Sequence, residues 1–332
     1  MHGEMSVVSM WRAPRRGGML GVLAFAALAV SASAQDRGAV TVAPGAQAGA
    51  IDVTAVERRL YDALRRSPRD PAVRAALGEW MASRGQLKAG AVLLEEARLF
   101  GGSAVAIAAR LQHIYTWMRD WESLAALPGS PLSPGERARA AALVNRPTSA
   151  VGPDSTVVPF APVEFGALGR LPLMLGNDTI WADVDPQAEG VVLPGLRRGA
   201  GLVELQGEDQ RGPLGVLPAV AVGDLVLHNV PVRVDAALGA GRARLGLDVF
   251  AQLAPTVDTR TGTVTLRRAG RVDEPPGAMA IPFLLGFPGV RLALRAGEAP
   301  VPMASPAGRA ALRGKRWTVD LRRGVVWVES AR

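Results

Sequence analysis

Two different periodicities divide the chain. Between residues 53 and 143, apolar residues recur at steps of three and four, as in "VERRLYDALRR", where Val56, Leu60 and Leu64 share one helical face. From about residue 155 onward, apolar positions alternate with polar ones, and a period of two indicates β-strands. The pattern therefore predicts a multidomain α+β chain in which a helical segment precedes an all-β segment.

Prolines and an internal repeat organise the helical segment, residues 51–146. Pro68 and Pro71 interrupt the first helical pattern, and Asp70 is placed to cap the helix that follows. The stretches "DPAVRAALGEWMASRGQLKAGAVLLEEARLFG" and "GSAVAIAARLQHIYTWMRDWESLAALPG" then align with a period of roughly 34 residues. Two helices joined by a short turn at this period resemble tetratricopeptide repeats, and another kind of helical hairpin array is the alternative. Both predict a packing or interaction module.

Turn-forming residues separate the alternating runs of the β segment. The turn signals are Gly176-Asn177-Asp178, Gly207-Glu208-Asp209, Gly223-Asp224 and Thr261-Gly262. A helical turn is expected over residues 248–253. The domain organisation predicted from these signals is a linker at 147–154, a β domain at 155–270, and a second β lobe or C-terminal β extension at 271–332.

The order of the predicted strands resembles the aspartic peptidase family, in its small retropepsin-like form and in the pepsin-like form. "VPF" at 158–160 and "LPL" at 171–173 match the first strands of that family, and "VDPQAEGVVLP" matches its active-site loop without a gap. The later stretches "VAVGDLVLHNVPVRV" and "RLGLDVFAQLAPTVDTRTGTVTL" resemble its central hairpin and closing unit. The resemblance covers residues 157–268 and places Asp185 on the catalytic aspartate.

The catalytic triplet departs from the family pattern. The family has Asp-Thr-Gly, whereas this chain has Asp185, Pro186 and Gln187. In the resembling enzymes two such loops face each other, and their two carboxylates share a proton and activate water. Pro186 has no hydroxyl and no N–H, and Gln187 adds a Cβ where Gly allows close backbone approach. We therefore expect impaired catalysis. An alternative register, with Asp183 as the catalytic residue, is disfavoured by the position of the apolar pair that follows.

Residues 279–330 look like a shortened second copy of the β unit. "WTVDLRRGVVWVES" parallels "PTVDTRTGTVTLRR", which sets Asp320 on Asp258. "MASPAGRAAL" parallels "VDPQAEGVVL" and puts Ala304 in the place of Asp185. If the two copies form one bilobed molecule, it has a single aspartate, and only a homodimer using Asp185 from each subunit would restore a dyad.

A polar hairpin is the candidate for a flap over the cleft. Its residues are Gly207, Glu208, Asp209 and Gln210, in the stretch "GEDQRG". A plain solvent-exposed hairpin is the alternative.

Composition narrows the chemistry. The net charge is +8, but the arginines are scattered and aromatic residues are few, so neither a basic stripe nor a stacking platform for nucleic acid is visible. With no cysteine and three histidines, the chain is not expected to bind a metal or another cofactor. His113 is expected in a helix and His228 in a hairpin turn, both as surface or structural residues.

The first 34 residues read as a signal peptide. Arg12, Arg15 and Arg16 precede the apolar run at 19–30, and small residues follow at Ala32 and Ala34. Cleavage is predicted after Ala34, with a flexible linker at 35–50. The apolar run is shorter than the roughly 20 residues of a spanning helix, so no stable membrane span is expected after cleavage, and an uncleaved anchor is the alternative.

Three functional hypotheses follow. The first is an exported, periplasmic or secreted aspartic-peptidase-like protein with impaired catalysis, which binds a peptide or protein ligand through its cleft or helical repeats. The second is an active homodimeric aspartic endopeptidase that uses Asp185 from each subunit. The third is an envelope scaffold protein.

Overall fold

The computed structural model describes nine stretches of the chain. They are residues 53–163, 166–195, 203–239, 242–251, 253–268, 272–285, 289–294, 299–321 and 323–329. The predicted signal peptide at 1–34 and the linker at 35–50 lie outside the described residues.

Six helices come first. They are α1 Val53–Arg66, α2 Pro71–Ser83, α3 Leu87–Leu99, α4 Ala104–Met118, α5 Trp121–Ala126 and α6 Pro134–Val144. As predicted, Asp70 caps α2 by accepting a hydrogen bond of 2.8 Å from the backbone N–H of Ala72. Helices α2 and α3 approach closely at Gly78 and Gly90, where a Cβ on Gly90 would lie 2.6 Å from the carbonyl oxygen of Gly78. None of the described helices is long and apolar enough to span a membrane.

Strands follow the helices. The first eleven are β1 Ser149–Val151, β2 Ser155–Pro159, β3 Arg170–Leu175, β4 Asp178–Asp185, β5 Val191–Leu193, β6 Glu204–Asp209, β7 Gly212–Val222, β8 Leu225–Val234, β9 Arg242–Gly246, β10 Ala254–Asp258 and β11 Thr263–Arg267. A 3₁₀ turn at Leu247–Phe250 separates β9 from β10 and overlaps the stretch, 248–253, where a helical turn was expected. Strand β1 pairs with β8 and lies within the segment predicted as a linker, 147–154.

The last elements are β12 Met279–Leu285, β13 Val290–Leu292, β14 Val301–Pro302, α7 Pro306–Leu312, β15 Arg316–Asp320 and β16 Val325–Glu329. We call β2 to β11 the first β unit and β12 to β16, with α7, the second β unit.

Six strands of the first β unit close into a barrel. The sheet order is β1-β8-β5-β9-β4-β3-β7-β6, and β7 pairs with β8 as well, which closes the ring β8-β5-β9-β4-β3-β7. The neighbours β4 and β9 are parallel, and so are β5 and β8. Side chains that fill the interior are fully buried and branched or small; they include Leu173, Ala182, Val191, Leu217, Val232 and Leu245.

A second sheet joins the two β units across a local two-fold axis. Its order is β14-β13-β12-β16-β15-β10-β11-β2, with β10 and β15 antiparallel at the centre. Thr256 lies directly opposite Thr318, and their hydroxyl oxygens are 2.8 Å apart in a hydrogen bond. The hairpins β10–β11 and β15–β16 extend symmetrically from this pair.

The strands on either side of this central pair are arranged with the same two-fold symmetry. Strand β2 pairs with β11, and β12 pairs with β16. The backbone N–H of Phe160 donates to the carbonyl of Gly262 at 2.7 Å, and that of Phe283 donates to Gly324 at 2.9 Å. Both glycines have positive φ, 65° and 62°, at the same place in their hairpin turns. The two units thus repeat one local design.

The helices pack directly on both β units. The Arg84 guanidinium donates to the carbonyls of Phe283 and Gly324, at 3.3 and 3.1 Å, in the second unit. The Arg119 guanidinium donates to the carbonyl of Asp248, at 2.8 Å, in the first. Val216 of the barrel belongs to the core of the helical segment.

Candidate active site

Asp185 is the last residue of β4, beside Gly246 of the parallel strand β9. Alternation along β4 buries Ala182 and Val184 in the barrel interior, and turns Trp181, Asp183 and Asp185 to the opposite face. The candidate carboxylate therefore lies on the outer face of the barrel, at the point where the strand ends.

Two groups lie next to the Asp185 carboxylate. The backbone N–H of Gln187 donates to Oδ1 at 2.8 Å, and Arg244 Nη1 lies 3.9 Å from Oδ2. The side chain is 13% exposed. Burial raises the pKa of Asp185 above its ordinary value; the Gln187 N–H and Arg244 oppose this rise, and Asp183 adds to it. The carboxyl group therefore keeps its proton to a higher pH than an ordinary aspartate does.

Asp183 has a partner on the neighbouring strand. It lies directly opposite Arg170 in the β3–β4 pair, and Arg170 Nε is 3.1 Å from Asp183 Oδ1. This ion pair accounts for Asp183 without a catalytic role.

The loop that follows Asp185 is fixed by Asp248. The backbone N–H of Gly190 donates to both carboxylate oxygens of Asp248, at 2.9 and 3.1 Å. The N–H of Gly246 donates to the carbonyl of Gly190 at 2.8 Å. Gly190 has φ of 63°, and a Cβ there would lie 2.3 Å from the carbonyl oxygen of Pro231, so only glycine fits.

Sequence reasoning did not single out Asp248 as a site residue. The available signal was a lone aspartate directly after the apolar "LGL" stretch, at the start of the expected helical turn. Burial raises the pKa of Asp248 to about 6; Arg119 and the Gly190 N–H lower it, and Glu189 raises it.

The second β unit holds Ala304 where the first holds Asp185. In the first unit the N–H of Val184 donates to the carbonyl of Gly169 at 2.8 Å, and in the second the N–H of Met303 donates to that of Val290 at 2.9 Å. The residue after each of these donors is Asp185 in one case and Ala304 in the other. The second unit therefore has no carboxylate at this position.

The loop of Asp185 also contacts the second unit. A Cβ on Gly289 would lie 2.9 Å from the carbonyl oxygen of Pro186 and 3.1 Å from Cγ of Gln187. Pro186 and Gln187, which replace the Thr and Gly of the family motif, thus lie at the boundary between the units.

Beyond Ala304 the two units diverge. The stretch aligned with β5 is the helix α7, because the Ser305 side chain caps it by accepting from the N–H of Gly308 at 3.2 Å, and Pro306 occupies its first position. The alignment of "MASPAGRAAL" with the first loop therefore holds through its first residues and fails in the helix.

The candidate flap lies against the helical segment. Its turn is at Gln210 and Arg211, whereas Gly207, Glu208 and Asp209, predicted as a turn, belong to β6, which has a bulge between Leu205 and Gly207. A Cβ on Gly135 of α6 would lie 2.4 Å from the carbonyl oxygen of Glu208.

An ion pair holds the same hairpin to the barrel. Asp209 pairs with Arg233 of β8, which is also 3.9 Å from Glu136 of α6. Burial acts to raise the pKa of Asp209, but its hydrogen bonds from Arg233 and Arg211 outweigh that effect, so the pKa lies below the ordinary value.

Each of the two described histidines has a polar partner. His113 Nδ1 of α4 lies 3.4 Å from a Glu189 carboxylate oxygen, which links a helix to the Asp185 loop. His228 was expected in a turn but lies within β8, because the β7–β8 hairpin turns earlier, at Gly223 and Asp224. Its Nδ1 is 3.2 Å from the carbonyl oxygen of Pro218.

Within the described part of the chain, no cluster of three or more His, Asp or Glu side chains could hold a metal ion.

No protein-family model matches this chain, and no curated protein is significantly similar to it. Among solved structures, it is similar to the crystal structure of a retropepsin-like aspartic protease from Rickettsia conorii, with 15% sequence identity and a TM-score of 0.24. The match covers 36% of this chain and 91% of that chain. A TM-score of this size does not establish a shared fold. The proposal that follows therefore rests on the strand registers and contacts described above and not on this similarity.

Proposed function

We propose that this protein is an aspartic-peptidase-like protein that binds peptides without cleaving them. The observation that carries the proposal is the presence of Ala304 at the position equivalent to Asp185. Hydrolysis by this class of site needs two carboxyl groups, one protonated and one ionised, to activate water and polarise the amide. A single carboxyl group cannot hold both roles at once.

The residues after Asp185 support the same conclusion. Pro186 offers no hydroxyl and no N–H, so it cannot make the hydrogen bonds of the Thr in the family motif. The Gln187 N–H is already used by Asp185 Oδ1 in a local turn. This turn fixes the carboxylate on its own loop, and a misplacement of about 1 Å in a catalytic group can cost ~10²-fold in rate.

The sheet between the units argues against the homodimeric alternative. Strands β10 and β15 already pair around the two-fold axis at Thr256 and Thr318. The loop of Asp185 is already in contact with Gly289 of the second unit. In this proposal the second unit is a shortened lobe that takes the place of a partner subunit beside the Asp185 loop.

We assign the helices a supporting role. Helices α2 and α4 begin at Pro71 and Ala104, and α3 and α5 at Leu87 and Trp121, so a helix pair recurs after roughly 34 residues, as in tetratricopeptide repeats. The array uses part of its surface to contact both β units through Arg84 and Arg119. We therefore assign peptide binding to the β face beside Asp185, in preference to the envelope-scaffold alternative.

The charged, apolar and small-residue pattern of residues 1–34 supports export to the periplasm or medium.

The test is incubation of the protein with a mixed peptide library at pH 3 to 6, beside the Asp185→Ala variant. Mass spectrometry measures cleavage, and recovery on the immobilised protein measures binding. We expect neither protein to cleave and the wild type to retain a subset of peptides. Cleavage by the wild type that Asp185→Ala abolishes would falsify the proposal, and so would the absence of any retained peptide.

A further inference from the structure

We propose that the barrel face beside Asp185 selects peptides that carry an acidic side chain next to an apolar one, with Arg242 and Trp181 as the selecting residues. This inference rests on the proposed function, because it names the class of peptide that the same site binds.

The face is built from three adjacent strands, in the order β3, β4 and β9. The strand registers set its rows. Pro172, Trp181 and Arg242 form one row, and Arg170, Asp183 and Arg244 form the next, nearer to Asp185. Successive residues on one face of a strand are about 6.6 Å apart, so the distance from Trp181 to Asp185 is about 13 Å, the length of four residues of extended peptide.

Two large apolar side chains of this face are exposed to solvent, one in the first row and one beside it. Trp181 is 41% exposed, and Met174, diagonal to it on β3, is 44% exposed. Large exposed apolar side chains that adjoin each other, with charged groups beside them, are typical of binding surfaces. Tryptophan and arginine are also the residues that most often dominate binding energy at interfaces.

The charges on this face are unequally compensated. Arg170 is held by Asp183 at 3.1 Å, whereas Arg244 only approaches Asp185, at 3.9 Å, and its side chain is half exposed. Arg242 is exposed and has no ion pair with any residue that the structure describes. An arginine of this kind is suited to a carboxylate, which its guanidinium can bind through two parallel hydrogen bonds.

These observations together indicate which class of peptide this face binds. A peptide that lies extended along β4 can set an apolar side chain against Trp181 and Met174 while an acidic neighbour reaches Arg242. Basic side chains are disfavoured, because Arg242 and Arg244 would repel them.

The experiment uses two pools of fluorescein-labelled pentapeptides and the full chain. Both pools have apolar residues at random in the flanking positions, and the central residue is Glu in one pool and Gln in the other. Fluorescence anisotropy at low ionic strength measures binding to the wild type, to Arg242→Gln, to Trp181→Ala and to Arg137→Gln, whose exposed arginine on α6 serves as the matched control.

We expect the wild type to bind the Glu pool about tenfold more tightly than the Gln pool, a difference of the size that one charge-assisted hydrogen bond supplies. The preference should shrink to less than about twofold in Arg242→Gln and persist in Arg137→Gln. Trp181→Ala should weaken both pools. Equal binding of the two pools by the wild type, or a preference that survives in Arg242→Gln, overturns this inference and leaves the proposed function standing. Failure of both pools to bind the wild type also overturns this inference, and the proposed function fails with it only if the mixed peptide library is not retained either.

Discussion

Burial decides how Asp185 and Asp248 ionise. Asp185 keeps contact with solvent at the end of β4, whereas Asp248 is 2% exposed beneath the loop that follows it. Asp248 binds that loop through Gly190 and faces Arg119, Arg139 and Glu189. Its pKa of about 6 shows that the loss of hydration outweighs the two arginines and the hydrogen bond.

A pH-dependent stability follows from the raised pKa of Asp248. Between pH 4 and 6 the folded protein holds a proton on this group that the unfolded chain has released, so the free energy of unfolding falls as pH rises through this range. A rise from 3.8 to about 6 corresponds to roughly 3 kcal/mol. Asp248→Asn removes the titrating group, so its stability relative to the wild type should increase by up to that amount from pH 4 to 7.

Urea unfolding of both proteins at pH 4, 5, 6 and 7 measures this difference. Comparison of the two curves cancels the other titrating groups, which both proteins share. A constant difference across the four pH values would show that Asp248 titrates as it does in the unfolded chain.

The sequence singled out Asp185 as the candidate, but not Arg244 or Asp248. The spacing of "VDPQAEGVVLP" was enough to single out Asp185, because the loop and the apolar pair are contiguous in the chain. Arg244 and Asp248 reach the same region only through the parallel pairing of β4 with β9, two strands that are far apart in the sequence. Local patterns do not contain that register.

At the scale of elements, the hairpin β6–β7 and the helix α6 depend on two glycines. Gly135 of α6 faces Gly207 and Glu208 of β6, with backbone against backbone. The ion pairs of Arg233 with Asp209 and of Arg146 with Glu204 border this contact. The hairpin proposed as a flap is therefore held against the helical segment.

Gly135→Ala should separate these two elements. The added Cβ would lie 2.4 Å from the carbonyl oxygen of Glu208, so backbone has to move, and we expect a loss of roughly 1–3 kcal/mol in the free energy of unfolding. Gly195→Ala is the matched control, because no heavy atom of the described residues lies within 4 Å of the position that its added methyl group would take. Chemical denaturation of the three proteins gives the comparison, and equal stability of Gly135→Ala and wild type would contradict the close contact.

Periodicity predicted the helices and most strands. The prediction failed where a helix-capping sequence lay in a stretch that the internal alignment made equivalent to a strand. The helix α7 lies in a stretch that the internal alignment made equivalent to strand β5. Ser305 and Pro306 form a helix start that the alignment ignored. The hairpin turn at Gln210 and Arg211 was placed too early, because Gly207 signals a bulge as readily as it signals a turn.

At the scale of the whole molecule, the two β units are organised around the pair Thr256 and Thr318. The sequence indicated the second copy through its closing hairpin, since "WTVDLRRGVVWVES" repeats the spacing of the first. The sequence could not indicate that the helices pack on both units. Arg84 and Arg119 donate to backbone carbonyls, and every residue has such a carbonyl, so no residue type marks the acceptor.

The central pairing can be tested by a disulfide within one chain. The protein has no cysteine, so Thr256→Cys with Thr318→Cys introduces the only two thiols. Directly opposed residues in an antiparallel pair have Cα atoms about 4.5–5.5 Å apart, within disulfide range. We expect oxidation to give a cross-linked monomer with altered mobility on non-reducing gels.

The matched control for this test is Thr265→Cys with Thr318→Cys. Thr265 on β11 lies opposite Thr256 on β10, which in turn lies opposite Thr318 on β15. Thr265 is therefore two strand spacings from Thr318, about 9.6 Å, which is too far for a disulfide. Covalent dimers from the first pair, or equal oxidation of the control, would contradict the intrachain pairing.

The most direct test of the central claim, that Asp185 has no carboxylate partner, is a titration of its side chain by ¹³C NMR, with assignment by comparison with Asp185→Asn. A lone carboxyl group ionises once, whereas a dyad that shares a proton ionises in two steps separated by several pH units. We predict a single ionisation above the ordinary pKa of aspartate, independent of protein concentration. Two coupled ionisations, or a titration curve that changes with protein concentration, would contradict the account.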